Sequence, residues 1–212
     1  MGILQQRHAA RRWYRFVSPL YDPLVGETFW PERRQREMLA DLPLSEAHVL
    51  DVGCGTGATA DLLAARAARV DALDHSRPQL QQAREAVPAP RYVRGDAERL
   101  PYRGETFDVV VSIGAVIFFP NPQEALAEAH RVTRPGGHVL VAGFNRPNGP
   151  SLTPIEGWAR LANSAFYYTA DRAEALRSFA EAGWENIETS VTGPAWHPRL
   201  IRVTTGQKAE TA

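Results

Sequence analysis

What most constrains this 212-residue chain is the run Val49-Leu50-Asp51-Val52-Gly53-Cys54-Gly55-Thr56-Gly57. A short apolar stretch meets an acid and then glycine at every second position, which predicts a buried strand, a tight loop and the first turn of a helix. Without Cβ atoms, such a loop lets a ligand lie against backbone N–H groups that also point out of the helix N-terminus. A nucleotide-like ligand is implied, but not which one. Gly53-x-Gly55-x-x-Ala58 also fits the loose dinucleotide fingerprint.

Further acids recur downstream at strand spacing. Arg69 to Asp74 predicts a second strand ending in an acid, and a carboxylate there can accept both hydroxyl hydrogens of a ribose. Arg91 to Arg94 predicts a third strand ending at Gly95-Asp96-Ala97, where Asp96 is placed to accept from an adenine amino group. Gly104-Glu105-Thr106-Phe107-Asp108 leads into Val109 to Ser112, a fourth. Helical crossovers separate the strands. Ser76 is the expected N-cap of one, with Leu80, Ala83 and Val87 on its inner face, and Thr56 or Thr59 is a candidate cap for the helix after the glycine loop. Asn121 starts a helix through Val132 and His138 to Phe144 forms strand five. A helix from Thr169 to Ala182, capped by Gly183, precedes a closing hairpin of 184–192 and 199–205. The expected fold is α/β, a doubly wound, mostly parallel seven-stranded Rossmann-like sheet with right-handed crossovers.

Five ordered motifs then act together: Asp51-x-Gly-x-Gly-x-Gly; Asp74; Gly95-Asp96-Ala97-Glu98-x-Leu100-Pro101; Phe107-Asp108-Val109-Val110; and Arg131-Val132-x-Arg134-Pro135-Gly136-Gly137. With them the chain resembles class I S-adenosylmethionine-dependent methyltransferases over about residues 47–145. Tyr14-x-x-x-Ser18-Pro19-x-Tyr21-Asp22 resembles the N-terminal segment of quinone and lipid methyltransferases, and the overall pattern is most similar to the ubiquinone and menaquinone biosynthesis C-methyltransferases. The resemblance implies S-adenosylmethionine as cofactor. It puts Gly53, Gly55, Thr56 and Gly57 at its methionine end, Asp74 at the ribose, Asp96 and Ala97 at the adenine and Ser112 beneath the sulfonium, counts Asp51 among the cofactor-binding residues, and has Tyr21 lining the site.

Length and composition set the frame. The chain suffices for one domain with a full core. The reading is a helical N-terminal cap over 1–46, a cofactor-binding methyltransferase domain over 47–205 with a lid-like insertion at 145–169, and a polar tail, 206–212, expected to be disordered. Twenty-four basic residues balance 24 acidic ones, so no nucleic-acid field is implied. The single cysteine, Cys54, excludes an internal disulfide and a cysteine-rich metal site. No apolar run approaches the roughly 18 residues of a membrane span, so the expectation is a cytoplasmic protein without stable membrane insertion, monomeric or homodimeric.

Acceptor identity is the open part. Ile113 to Phe119 is apolar where base-nitrogen methyltransferases carry an Asn/Asp-Pro-Pro-aromatic element, and where the quinone enzymes show a polar run. With zero net charge this points to a small, fairly apolar acceptor, a quinone methylated on carbon or a phospholipid amine methylated on nitrogen. None of the six histidines is singled out as a general base, and no catalytic residue is named. Two alternatives stand beside it. One is a protein that binds S-adenosylmethionine without transferring the methyl. The other is a nicotinamide-dependent oxidoreductase, disfavoured because the only lysine is Lys208, leaving no Tyr-x-x-x-Lys pair.

Overall fold

The structure, a computed structural model, describes residues 27–145, 170–196 and 198–210. The elements are α1 (Glu27–Phe29), α2 (Glu32–Met38), β1 (His48–Val52), α3 (Ala58–Ala64), β2 (Arg69–Asp74), α4 (Arg77–Ala86) and β3 (Arg91–Arg94). They continue with β4 (Phe107–Ile113), a 3₁₀ turn (Val116–Phe118), α5 (Pro122–Val132), β5 (Thr133–Phe144), α6 (Arg172–Glu181), β6 (Glu185–Thr192) and β7 (Ile201–Gln207).

The seven strands form one sheet in the order β3-β2-β1-β4-β5-β7-β6. The first five are parallel, and β7 runs antiparallel between β5 and β6. From β1 the chain winds outward through β2 and β3, then returns to lay β4 on the other side. That reversal opens a crevice beyond the carboxyl ends of β1 and β4, where ligands of such sheets bind.

Alternation explains the layers. Val49, Val109 and Val111 face one side with Trp30, Leu39, Leu62, Leu63 and Leu80; Leu50, Val52 and Val110 face the other with Leu126, Val132, Phe179 and Trp184. The central strands are apolar on both faces because both are covered.

Several boundaries differ from expectation. Helix α3 begins at Ala58 with Gly57 as its N-cap; neither Thr56 nor Thr59 caps it, and the Thr59 hydroxyl instead donates to the buried Gln35 amide oxygen at 2.7 Å. Ser76 is the N-cap residue of α4, but its side chain makes no capping bond. Strand β5 starts at Thr133, because the glycine pair Gly136-Gly137 is carried within the strand across a register shift. The expected disordered tail from Gly206 is corrected at its start. Gly206 and Gln207 complete β7, and the Lys208 ammonium donates to the carbonyls of His130 and Thr133 at 3.2 and 2.9 Å. Most of the cap, including Tyr14 and Tyr21, and nearly all of the 145–169 insertion lie outside the described residues.

Candidate active site

The glycine loop turns at the carboxyl end of β1, with φ of +80° at Gly53, +55° at Gly55 and +94° at Gly57, a region that L side chains enter only under strain. Gly53 and Cys54 both donate their N–H to the Leu73 carbonyl, at 2.7 and 3.0 Å, which pins the loop to the end of β2. Asp74, the last residue of β2, completes the bracket: one carboxylate oxygen accepts from Gly55 N–H at 3.0 Å and the other from Ser76 N–H at 2.7 Å. One side chain therefore sets the loop and the start of α4 together. Burial raises the Asp74 pKa, against the pull of those backbone donors and of His75, whose Nδ1 lies 3.5 Å away.

Asp51 is the more demanding group. It is 1% exposed, and its Oδ2 has no hydrogen-bond partner. Burial first, and then the charge of Asp74, push its pKa up to about 8. A buried carboxylate with a vacant oxygen is costly unless a donor or cation arrives to meet it. Cys54 is buried beside it, and burial followed by the two aspartates pushes its thiol far up, so it is a small inert packing group rather than a nucleophile. Thr56 is part-exposed in the loop.

Beyond β3 the chain is held by carboxylates, of which Asp96 was an expected site residue and Glu98 and Glu128 were not. Asp96 accepts from Glu98 N–H at 3.1 Å, forming a local turn with Ala97 buried inside it. Glu98 is itself buried and accepts from Asn121 N–H at 2.7 Å, tying this turn to the start of α5. Glu128 accepts from Leu100 N–H at 2.7 Å, and Arg131 bonds Glu128 and reaches the carbonyls of Leu100 and Tyr102. The Glu98-x-Leu100 and Arg131 positions of the sequence motifs are thus braces.

On the other side of the crevice, the Ser112 hydroxyl donates to the Val52 carbonyl at 2.9 Å. Its proton is engaged in bracing β4 to β1, which makes Ser112 a strut at the position expected beneath the sulfonium. Gly114 follows with φ +74°; a Cβ there would lie 2.9 to 3.0 Å from Cε2 and Nε1 of Trp30. A Cβ on Gly53 would collide with Ala115. The loop after β4 is therefore seated on the glycine loop.

The crevice draws together Asp51, the glycines, Thr56, Asp74, Asp96, Ala97 and Ser112 at the carboxyl ends of β1 to β4. His48 and His138 begin β1 and the shared register of β5 at the opposite end, and Lys208 sits against Thr133 there. His8 and His197 fall outside the described residues. A separate groove of about 480 Å³ runs between α2 and the β6–β7 pair, lined in part by Arg34, Met38, His138 and Thr205, and includes none of the expected site residues. Among the described residues no cluster of histidine, cysteine and acids is arranged to hold a metal, and no helix is long and apolar enough to cross a membrane.

Comparison with known proteins bears on this geometry. A family profile described as a methyltransferase domain matches residues 50–141, the stretch from β1 through most of β5. The chain is 33% identical over 206 residues to 2-methyl-6-phytyl-1,4-hydroquinone methyltransferase 2, chloroplastic, of Oryza sativa subsp. japonica, covering 94% of this chain and 57% of that protein. It thus spans less than two thirds of that relative. It is 31% identical to the demethylmenaquinone methyltransferase of Renibacterium salmoninarum, covering 81% of each chain. It is also 31% identical to the phosphatidylethanolamine N-methyltransferase of Cereibacter sphaeroides, covering 87% of this chain and 89% of that one. The [4+2]-cyclase SpnF has the same fold, with a TM-score of 0.78 over the whole of both chains at 18% identity. The fold is thus shared beyond one chemistry, but a methyltransferase-domain profile and relatives above 30% identity along most of their length show the family: this chain belongs to the class I S-adenosylmethionine-dependent methyltransferases.

Proposed function

We propose that the protein transfers the methyl group of S-adenosylmethionine to a small, fairly apolar acceptor, of the hydroquinone or phospholipid kind named in its relatives. The observation that carries the reading is the vacant Oδ2 of buried Asp51, one turn from the Asp74 bracket, in the crevice where the strand order reverses. Those residues fit the cofactor. The glycine backbone and Asp51 take its amino-acid end, Asp74 keeps lone pairs for ribose hydroxyls while holding Gly55 and Ser76, and Asp96 with Ala97 borders the adenine.

Bound there, S-adenosylmethionine supplies a methyl group already activated by its sulfonium. The chain's contribution is then alignment and exclusion of water. Gly53, seated under Ala115, fixes the loop against the post-β4 wall; Ser112 locks β4 to β1 so that the wall keeps its distance; Val116 and Ile117 keep it apolar. Tyr21 remains part of the proposal as a site-lining ring outside the described residues.

Calorimetric titration tests the cofactor half. Wild type should bind S-adenosylmethionine, and Asp74→Asn, of equal shape, should weaken it about 10-fold or more. Unchanged affinity in that variant, with the fold intact by circular dichroism, would remove Asp74 from the site.

A further inference from the structure

We propose that Trp30 is a binding residue for the methyl acceptor, its indole N–H donating to an uncharged oxygen carried on an aromatic ring, so that the acceptor is a hydroquinone or phenol rather than an amine headgroup. This rests on the methyltransferase reading and specifies the acceptor of the same site. Trp30 is nine-tenths buried, and its Nε1 has no hydrogen-bond partner. Buried indole nitrogens ordinarily find one.

Its position ties it to the reacting end of the crevice. The indole packs directly on Gly114 and leaves no room for a Cβ there. The next residue, Ala115, rests on Gly53 of the glycine loop. The contact chain from the orphaned N–H to the cofactor loop is thus two residues long. The other flank is aromatic: Phe144, at the carboxyl end of β5, lies 6.1 Å from Trp30 and meets Phe29 edge-on at 5.3 Å, and Phe29 meets Trp196 at 6.1 Å. Among the described residues, Trp196 is the large apolar side chain left exposed, at 54%. These rings form a contiguous apolar cluster between the exposed Trp196 and the indole.

The chemistry of the wall selects the ligand. An N–H can be met only by a lone pair, and an amine that takes the methyl spends its single lone pair on the attack, so it has none left for the indole. A phosphate would bring lone pairs but also full charge. Trp30, Phe29, Phe144, Gly114 and Val116 carry no cation to offset burying it. A ring hydroxyl brings an uncharged oxygen on a flat apolar body that edge-to-face packing accommodates.

The test pairs a protein change with a substrate change. Methyl transfer from labelled S-adenosylmethionine is measured for a short-chain prenylated 1,4-hydroquinone and for the two phenols that each lack one hydroxyl, in wild type and Trp30→Phe. Deleting the contacting hydroxyl is expected to lower kcat/KM about 10-fold in wild type and less than twofold in Trp30→Phe, with S-adenosylhomocysteine affinity equal in both proteins. Should Trp30→Phe fold poorly, the indole ¹H–¹⁵N resonance of Trp30 in the wild-type S-adenosylhomocysteine complex serves, and is expected to move downfield on adding the hydroquinone. Equal hydroxyl-deletion effects in both proteins, or an unmoved resonance with the hydroquinone bound, overturn the assignment. Methylation of phosphatidylethanolamine in vesicles but of no hydroquinone overturns the acceptor class and leaves the methyltransferase reading standing; failure to bind S-adenosylmethionine at all overturns that reading itself.

Discussion

Replacing Asp51 by asparagine should make the cofactor-free protein more stable and the cofactor site weaker. The carboxylate is 1% exposed, with Oδ2 unpartnered, and its pKa stands near 8 against an ordinary 3.8. The unfolded chain therefore releases this proton about four pH units earlier than the folded one. Over that window the native state binds more protons, so stability falls as pH rises. The contribution is whole below about pH 4 and lost by about pH 8. At about 1.4 kcal/mol per unit the ceiling is near 6 kcal/mol, and relaxation and water access in real interiors reduce this to about 2 to 4 kcal/mol. Urea denaturation of the cofactor-free protein from pH 5 to 8.5 should show a steeper decline for wild type than for Asp51→Asn. Asp74, also raised by burial, adds a decline of the same sign in both proteins. At pH 8 the variant should be the more stable by that amount, while its S-adenosylmethionine affinity drops about 10- to 100-fold as a charged partner is lost. Parallel pH profiles, or a variant less stable at pH 8, would refute the account of Asp51 as a strained, cation-seeking group.

Other outcomes rest on single contacts. Gly53→Ala should abolish cofactor binding and cost about 2 kcal/mol or more in unfolding experiments, because φ +80° and the Ala115 contact oppose a Cβ together. Gly114→Ala should displace the Trp30 indole, seen as a shift in tryptophan fluorescence, and cut methyl transfer more than cofactor affinity. Arg131→Ala should lower the melting temperature by roughly 3 to 8 °C, since it frees the carbonyls of Leu100 and Tyr102 and the part-buried Glu128 at once.

Much of the fold and the site was legible in the residues. The largely apolar runs at 49–52 and 109–111 are buried on both faces and so read as central parallel strands, and the acid next to the end of β1 and at the end of β2 marked the ligand edge. The glycine loop was visible because alternate glycines report left-handed backbone directly. What the sequence concealed is long-range. Whether Thr59 caps a helix or donates to Gln35, 24 residues earlier, depends on how α2 packs on α3. Ser112 is expected beneath the sulfonium, and its bond to Val52 is a property of β4 lying beside β1 that the sequence does not show. Glu98 stands in one of the motifs, but that it is buried and accepts from Asn121 N–H depends on another element meeting it. The missing partner of the Trp30 N–H is likewise a property of the assembled wall. The β5 start was missed because two glycines normally end a strand, whereas here a register shift carries them through.

The central claim is methyl transfer to an apolar small molecule. It is tested most directly by incubating the purified protein with methyl-labelled S-adenosylmethionine and an extract of its own cells, then separating lipid, water-soluble, RNA and protein fractions. Label entering the lipid fraction with wild type, and lost with Asp74→Asn, is the predicted result. Label confined to RNA, protein or water-soluble compounds would contradict an apolar acceptor, and cofactor binding without transfer to any fraction would contradict the transferase itself.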